Sequence, residues 1–546
     1  MPSAPPEATF ERPPAAGTLL RDERVLVGGR RVAFGILTLF LLTSIGLFAA
    51  YWFGLPNIGE HPVLYALASA GVFYLIGVWL MPWLALDRMR RPVPVAPAPG
   101  WRVAAVTTFT PPTESIEMLE QTLAALVALE YPHDTWVLDE GDEPAVRALC
   151  ERLGARHFTR SGRPEYQAPN GPLAARTKFG NFNAWLAQPE SAGYDLLAAF
   201  DPDHVPERNY LTRTLGYFSD PQVGYVQAAQ FYYNQEASFI ARGAAEESYE
   251  FYSSIQMANH AFGEPTIVGS HTVHRLSALR ALGGMPAHEA EDVYLTLLYR
   301  WGRWCGVYVP EILAMGMTPV DWRSYMRQQR RWARALVDLK LRVLPKVAPR
   351  MTLVERTLGL LHGTFFLRPL LFVVWYPMLV YMLVANVQPS FYQRYAFYAV
   401  FSLAMVFFCA DRFRQLYYLD RRREEGIHWR ALVLQYAKWP FFAHGLWQAL
   451  RGWSGAFTVT PKTGARSRGG SVAETHLLLA LVMASALVIR LSLYGMPRFA
   501  LLASAIGFVV FSLVLACTEM LRFPPQFELG RYSSRRAALA ERLDRT

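Results

Sequence analysis

Cysteine is scarce in this chain of 546 residues, which has only Cys150, Cys305, Cys409 and Cys517. Their spacing matches no metal-ligand pattern and no disulfide framework, which argues against a small domain stabilised by structural zinc or by disulfide bonds. Lys and Arg are absent from residues 54–62, a short link between two long apolar runs. Clusters of acidic residues are absent from the apolar runs, which argues against an ion-coupled transporter.

Apolar and aromatic residues are abundant: the chain is 52% hydrophobic and contains 15 Trp, 27 Tyr and 33 Phe. Several apolar runs are long enough to cross a bilayer. The net charge is +10, and clusters of arginine flank these runs. Positive charge in that position favours contact with anionic lipid rather than with nucleic acid. The composition therefore predicts a multi-pass membrane protein that contacts membrane lipids and has no nucleic-acid partner.

Six membrane spans are predicted, at residues 32–53, 63–86, 357–386, 395–410, 476–493 and 499–521. The distribution of arginine around them places both termini in the cytosol. Residues 431–450 have basic flanks on both sides, so we expect this segment to lie on the membrane surface. The predicted order is a disordered cytosolic N-terminus (1–31), a transmembrane hairpin (32–91), a cytosolic domain (100–345), a transmembrane region with interfacial helices (346–523) and a cytosolic tail (524–546).

Residues 100–345 alternate short apolar runs with amphipathic stretches, which is typical of a βα domain. We predict strands at 103–109, 135–138, 196–200 and 224–227. Helices are predicted at 114–129, 145–153, 236–260 and 292–301. About 245 residues are enough for one sizeable core, so a single domain is expected between the membrane segments.

The motif Asp201-Pro202-Asp203-His204 directly follows the predicted strand 196–200. Ligands of open α/β sheets bind at the carboxyl ends of the strands, and carboxylate oxygens suit Mg²⁺ or Mn²⁺. Two carboxylates separated by one residue are also common in solvated turns, so the motif by itself is weak evidence for a metal site.

Further motifs follow the same order along the domain. Asp139 ends a predicted strand, Glu291-Asp292 begins a helix, and Gln328-Gln329-Arg330-Arg331-Trp332 lies on a basic amphipathic helix. Two more stretches are Lys178-Phe179-Gly180-Asn181-Phe182-Asn183 and Phe457-Thr458-Val459-Thr460-Pro461-Lys462. Together they resemble the membrane-embedded processive family-2 glycosyltransferases, which include cellulose, curdlan, chitin and hyaluronan synthases. The resemblance covers roughly residues 100–470.

The resemblance implies an α/β fold of the GT-A type, with a Rossmann-like sheet inserted between α-helical transmembrane segments. It implies Mg²⁺ or Mn²⁺ on Asp203 and His204, and Asp292 as the general base, whose pKa would be raised by an apolar site and by Glu291. The residues implied to bind the donor, a UDP-sugar, are Asp139, Lys178, Asp201, Gln328 and Arg331. Trp332 would stack on the acceptor, and residues 455–470 would form a gating loop carrying Phe457, Val459, Thr460 and Lys462.

The function implied is processive, inverting synthesis of a β-glucan from UDP-glucose, with extrusion of the growing polysaccharide across a bacterial plasma membrane. The alternatives are another sugar, based on N-acetylglucosamine or hyaluronan-like, and non-processive glycosylation of a lipid carrier. Accessory or periplasmic subunits are possible partners, and no cyclic-di-GMP domain is expected. Three features depart from the family pattern: Glu140 replaces a second aspartate, Ala290 replaces threonine, and His271 and His274 replace small or apolar residues.

Overall fold

The computed structural model of the chain describes residues 20–54, 58–59, 61–452 and 472–520. The strands of this part are β1 Asp22–Arg24, β2 Arg90–Pro92, β3 Val103–Phe109, β4 Asp134–Asp139, β5 Arg156–Thr159, β6 Leu196–Phe200, β7 Val205–Pro206, β8 Val223–Tyr232, β9 Thr272–Arg275 and β10 Cys305–Gly316.

The α-helices of the same residues alternate with the strands in the middle of the chain and dominate its two ends. They are α1 Gly28–Trp52, α2 Pro62–Ala85, α3 Ile116–Val127, α4 Pro144–Leu153, α5 Lys178–Leu186, α6 Tyr210–Thr214, α7 Phe239–Glu246, α8 Gln256–His260, α9 Leu276–Ala281, α10 Glu291–Trp301, α11 Trp322–Asp338, α12 Leu344–Val347, α13 Leu353–Leu361, α14 Phe372–Val384, α15 Arg394–Arg414, α16 Arg421–Glu424, α17 Trp429–Leu450, α18 Val472–Tyr494 and α19 Phe499–Met520.

Eight strands form one mixed sheet in the order β5-β4-β3-β6-β9-β8-β10-β7. Strands β5, β4, β3 and β6 pair in parallel, and β8 pairs in parallel with β10. Strand β9 runs antiparallel between β6 and β8, and β7 runs antiparallel to β10. Because β4 and β6 are parallel and separated only by β3, the residues that follow them emerge at the same edge of the sheet. The predicted strands 103–109 and 196–200 are confirmed at their exact bounds.

Strands β3 and β6 are buried on both faces, which explains the apolar runs at residues 103–106 and 196–200. In β3, Ala104 and Val106 pack with Phe182 and Trp185 on one face of the sheet. Val103 and Ala105 point to the opposite face and join a separate cluster. Successive side chains of a strand alternate between faces, so both faces favour apolar residues at 103–106, and the buried Thr107 and Thr108 follow this run.

A two-stranded ribbon joins the ends of the first hairpin. Strand β1 pairs antiparallel with β2, with Asp22 opposite Pro92 and Arg24 opposite Arg90. Nε2 of His260 lies 3.0 Å from Oδ1 of Asp22, which ties the ribbon to the α/β domain. The prediction of disorder up to residue 31 is therefore wrong for residues 22–31, because β1 finds a partner strand across the hairpin and α1 begins at Gly28.

Five helices of the described residues are long and apolar enough to cross a membrane: Gly28–Trp52, Pro62–Arg88, Phe366–Val384, Val472–Tyr494 and Phe499–Thr518. They correspond to five of the six predicted spans. Helix α15 covers the remaining predicted span, 395–410, but it is not among these five helices. Helix α17 is also not among the five, and it packs against α11 and α7 of the α/β domain. Its predicted place on the membrane surface stays a prediction.

The helix predicted at 236–260 is instead three shorter pieces. Helix α7 ends at Glu246, a wide π-helical turn covers Phe251–Ile255, and α8 then runs from Gln256. The acidic residues on this segment face helices α15 and α17. Ion pairs join Glu246 to Arg430 and Glu250 to Arg414.

Candidate active site

The turn after strand β6 brings two carboxylates and an imidazole together. One ligand atom from each of Asp201, Asp203 and His204 lies within 4.8 Å of the others. Nδ1 of His204 is 3.1 Å from Oδ1 of Asp203 and 4.0 Å from Oδ2 of Asp201. Asp203 and His204 are buried, whereas Asp201 is half-buried. Carboxylate oxygens suit Mg²⁺ and Mn²⁺, so this donor set fits the divalent cation predicted from the sequence.

Hydrogen bonds from other elements hold this turn in place. The backbone N–H of Asp201 donates to Oγ of Ser270 at 3.0 Å, and Oγ1 of Thr122 donates to the carbonyl of Pro202 at 2.7 Å. The N–H of His204 closes the turn by donating to the carbonyl of Asp201 at 3.0 Å. The turn is therefore fixed from helix α3 on one side and from the segment before β9 on the other.

Lys178 stands at the start of helix α5, where Thr177 caps the helix by accepting the N–H of Gly180. Its Nζ pairs with Oδ1 of Asp201 and also donates to the carbonyl of Gly269. Burial lowers the pKa of Lys178, but the charges of Asp201 and Glu291 raise it by more, so the net direction is upward. The lysine is thus a fixed cation beside the acidic turn.

Glu291 and Asp292 begin helix α10 on the other side of Lys178. A Cβ atom placed on Gly269 would lie 3.4 Å from Oδ2 of Asp292 and 3.8 Å from Nζ of Lys178, so both groups lie close to this glycine. Burial raises the pKa of both carboxyl groups, the charge of Asp292 raises that of Glu291 further, and the Lys178 ammonium opposes both shifts. The pair can therefore accept a proton more readily than exposed carboxylates.

Helix α11 carries the last motif and approaches the same carboxylates. Asp321 caps the helix by accepting the N–H of Ser324 at 2.9 Å. Arg334 on this helix pairs with Glu289, two residues before the start of α10. Burial raises the pKa of Glu291, and the positive charge of Arg331 opposes that shift. Trp332 is 40% exposed, and its ring lies 6.3 Å from the ring of Phe366. Gln328 is only half-buried on the same helix.

Asp139 is fully buried at the end of β4. Its carboxylate accepts the N–H of Gly141 at 2.9 Å and that of Glu143 at 2.6 Å, and Nε2 of His157 is 3.2 Å away. The carboxylate thus organises its own turn, and its predicted contact to the nucleotide stays a prediction.

Glu140 and Arg160 form a buried pair that sequence reasoning missed. Nε and Nη2 of Arg160 donate to the two carboxylate oxygens of Glu140 at 2.8 and 2.9 Å. The remaining Arg160 donors reach the carbonyls of Tyr166, Leu173, Ala174 and Thr177. Glu140, which departs from the family pattern, therefore holds Arg160 in place, and Arg160 fixes the segment that leads to Lys178 through its hydrogen bonds to the main chain.

The two unusual histidines are both buried. Nδ1 of His274 lies 3.0 Å from the hydroxyl of Tyr299, and burial lowers the pKa of His274 to about 3. His271 has a positive φ of 53°, and its ring packs 4.5 Å from the ring of His204. Burial lowers the pKa of His271 as well. His271 lies against the acidic turn through His204, whereas His274 lies further along β9, opposite Leu197. The predicted loop residues Phe457, Val459, Thr460 and Lys462 lie outside the described residues.

Comparison with known proteins points to one family. Residues 197–410 match the model of "Glycosyl transferase family group 2". Over 286 residues, or 50% of this chain, the sequence is 25% identical to cellulose synthase 2 of Novacetimonas hansenii, of which it covers 16%. Over 280 residues it is 26% identical to the UDP-forming cellulose synthase catalytic subunit of Xanthomonas axonopodis pv. citri, of which it covers 36%. The chain thus spans only a fraction of the length of these relatives.

Among solved structures, the fold is similar to a mannosyltransferase from Pyrobaculum calidifontis, with 16% sequence identity and a TM-score of 0.49. The similarity covers 72% of this chain and 99% of that one.

The site is an acidic turn at the carboxyl end of strand β6 in a mixed α/β sheet. Residues 197–410 match a family-2 glycosyltransferase domain and are similar to cellulose synthase catalytic subunits, so the family predicted from the sequence is confirmed for this domain. The predicted fold class, an α/β glycosyltransferase domain between apolar helices, is confirmed as well.

Proposed function

We propose that this chain is a processive, inverting glycosyltransferase that polymerises a β-glucan from UDP-glucose and extrudes it across the plasma membrane. The observation that carries the proposal is the convergence of four separate motifs. Lys178 pairs with Asp201 and lies with Asp292 against Gly269. Helix α11, which carries Arg331, is joined by the ion pair of Arg334 and Glu289 to the segment just before Glu291. These residues come from four elements of one domain, next to helices that can cross a membrane.

The proposed reaction transfers glucose from UDP to a hydroxyl group of the acceptor. The bond between the anomeric carbon and the diphosphate oxygen breaks, and its electron pair leaves with UDP. A new glycosidic bond forms on the opposite face of the sugar. Asp292 takes the proton of the attacking hydroxyl, which its raised pKa favours.

The other residues bind and orient the substrates in this proposal. Asp203 and His204 would hold a Mg²⁺ or Mn²⁺ ion, which supplies Lewis-acid stabilisation of the diphosphate when bound. Lys178 and Arg331 add fixed positive charge, and a guanidinium can bind phosphate through two parallel hydrogen bonds. Asp139 and Gln328 complete the donor site, and the exposed ring of Trp332 would stack on the acceptor.

The first experiment measures product and donor. Membranes that contain the protein are incubated with individual radiolabelled UDP-sugars, and the product is sized and digested with linkage-specific hydrolases. A long polymer made from UDP-glucose and degraded by a β-glucanase supports the proposal. A polymer made only from another donor identifies the alternative sugar, and a single added sugar on lipid overturns processivity.

The second experiment tests the metal. Asp203→Ala is expected to abolish transfer, and chelation of the wild-type enzyme should do the same until Mg²⁺ or Mn²⁺ is added back. Full wild-type activity in excess chelator would exclude a metal role.

The predicted closure of residues 455–470 over UDP stays a prediction, and protease cleavage at Lys462 with and without UDP and Mg²⁺ tests it.

A further inference from the structure

The imidazole of His204 is held from the side that faces away from Asp203. Its Nε2 is 3.0 Å from Nε2 of Gln230, and Oε1 of Gln230 accepts the hydroxyl of Tyr252 at 2.9 Å. The His204 and Gln230 side chains are buried. The hydroxyl of Tyr252 also contacts that of Tyr232. A chain of side-chain hydrogen bonds therefore ends on the nitrogen of His204 that does not face the carboxylates.

The space around the imidazole leaves it one orientation. A Cβ atom on Gly316 would lie only 2.1 Å from Nε2 of His204, so β10 can pass here only with a glycine. The His271 ring packs at a steep angle against the His204 ring, with 4.5 Å between the centroids. Nδ1 is thus kept towards Asp203, and Nε2 is kept towards Gln230.

The orientation of the Gln230 amide is coupled to which nitrogen of His204 carries the proton. A neutral imidazole has one N–H and one acceptor nitrogen. When the Gln230 amide donates to Nε2, the proton lies on Nδ1 and points to Asp203. A nitrogen that carries a proton has no lone pair for a cation, so Nδ1 can be a ligand only when the proton lies on Nε2.

A primary amide can serve both tautomers, because turning it by about half a turn exchanges its donor and acceptor ends. In the second orientation, Oε1 of Gln230 accepts the Nε2 proton and its NH₂ group donates to Tyr252. The Tyr252 hydroxyl can then donate to Tyr232, so the imidazole, the amide and the Tyr252 hydroxyl all keep partners. No proton enters or leaves the protein in this exchange.

We propose that Gln230 is a positioning residue that accepts the Nε2 proton of His204, supports that tautomer and so makes Nδ1 available to the divalent cation. The inference rests on the proposed function, because it requires a cation on Asp203 and His204. Outer hydrogen-bond partners of this kind typically contribute about 10–100-fold to metal affinity. Nothing in the spacing of Gln230 and His204 along the sequence indicates their contact, which arises because β8 and β10 pair next to the acidic turn.

The test measures Mn²⁺ affinity rather than turnover. The full-length protein in detergent is saturated with UDP and titrated with Mn²⁺, and the free ion is followed by electron paramagnetic resonance. Gln230→Leu removes the acceptor for the Nε2 proton and is expected to weaken Mn²⁺ binding about tenfold or more. Gln230→Glu keeps the shape and can only accept that proton, so it should bind at least as tightly as the wild type.

Two controls separate an effect on the His204 tautomer from the general effect of removing a buried amide. Gln256→Leu removes another buried amide, which bonds only the main chain of Thr266, and should leave Mn²⁺ affinity unchanged. In a His204→Ala background, neither Gln230 substitution should alter the affinity, because the imidazole through which Gln230 acts is gone. Thermal unfolding shows whether each variant is folded. If Gln230→Leu is not folded, the Mn²⁺ affinity of Gln230→Glu decides whether Gln230 has the positioning role.

The outcomes are distinct. If the wild type with UDP binds no Mn²⁺, the proposed metal-dependent function fails. If the wild type binds Mn²⁺ but Gln230→Leu binds equally well, the positioning role is overturned. The positioning role is also overturned if Gln230→Glu is as weak as Gln230→Leu, or if either substitution has its full effect without His204.

Discussion

At the scale of single residues, the site consists of opposite charges held close together. Lys178 sits between Asp201 and the Glu291–Asp292 pair, and its charge opposes the upward pKa shifts of both members of the pair. The position of one ammonium group therefore influences both the acidic turn and the candidate base. Two substitutions separate these roles.

Replacing Asp292 with Asn keeps the shape of the side chain but removes its capacity to accept a proton. We expect turnover to fall by at least about a hundredfold, while the affinity for UDP-sugar stays near that of the wild type. Single-turnover kinetics and equilibrium binding measure the two quantities. Glu117→Gln, at an exposed first-turn position of helix α3, is the control and should change neither. Turnover within a few-fold of the wild type would assign the base elsewhere.

Replacing Lys178 with Met removes the cation that lowers the pKa values of Glu291 and Asp292. Without it, both carboxyl groups hold their protons to higher pH, so the acid limb of the kcat profile is expected to move to higher pH. The profile is measured between about pH 5 and 9, and its position does not depend on how much activity remains. Lys346→Met, at an exposed lysine, should leave the limb in place. An unchanged or lower limb in Lys178→Met would contradict this assignment.

At the scale of elements, helix α17 is joined to the α/β domain by a buried ion pair. Nζ of Lys438 lies 2.8 and 2.7 Å from the two carboxylate oxygens of Glu247, and Lys438 is only 1% exposed. Glu247 also accepts the hydroxyl of Tyr325 on helix α11 at 2.5 Å. The helix that carries Arg331 and Trp332 is thus connected through one carboxylate to a helix outside the α/β domain.

Breaking this pair from one side leaves a buried charge without its partner. Lys438→Met is expected to lower the free energy of unfolding by about 3–5 kcal/mol, and the double variant with Glu247→Gln should recover part of the loss. Thermal or denaturant unfolding in detergent measures both. Arg421→Met breaks an exposed pair with Glu425 and should cost about 1 kcal/mol or less. If Lys438→Met and Arg421→Met lower the free energy of unfolding equally, the buried pair contributes no more to stability than the exposed pair.

At the scale of the whole molecule, the proposed function places the α/β domain and the 54–62 link on opposite sides of the membrane. We expect a Gly59→Cys variant, otherwise free of exposed cysteines, to react with a membrane-impermeant maleimide in intact cells. A variant that keeps Cys305 alone, which is exposed on the α/β domain, should react only after the cells are opened. The reverse pattern would place the catalytic domain outside and contradict the proposal.

The sequence by itself determined the family, the order of apolar helices and the strands that are buried on both faces. Strand β6 and the first four residues of β3 are uninterrupted apolar runs because each strand contributes to two clusters of the core. Such runs can be recognised in the sequence without knowledge of the neighbouring strands. The residues that end β6 and begin α10 were also predicted, because their types and order match the family.

Only the tertiary structure decided which of these residues meet and what supports them. Strand β10 was not predicted, because Pro310 and Glu311 interrupt its apolar pattern at the point where its register with β8 shifts. The pairing of Glu140 with Arg160 and the contact of Gln230 with His204 join residues 20 and 26 positions apart. Such contacts depend on how the strands align in the sheet, and the local sequence carries no periodic signal of that alignment.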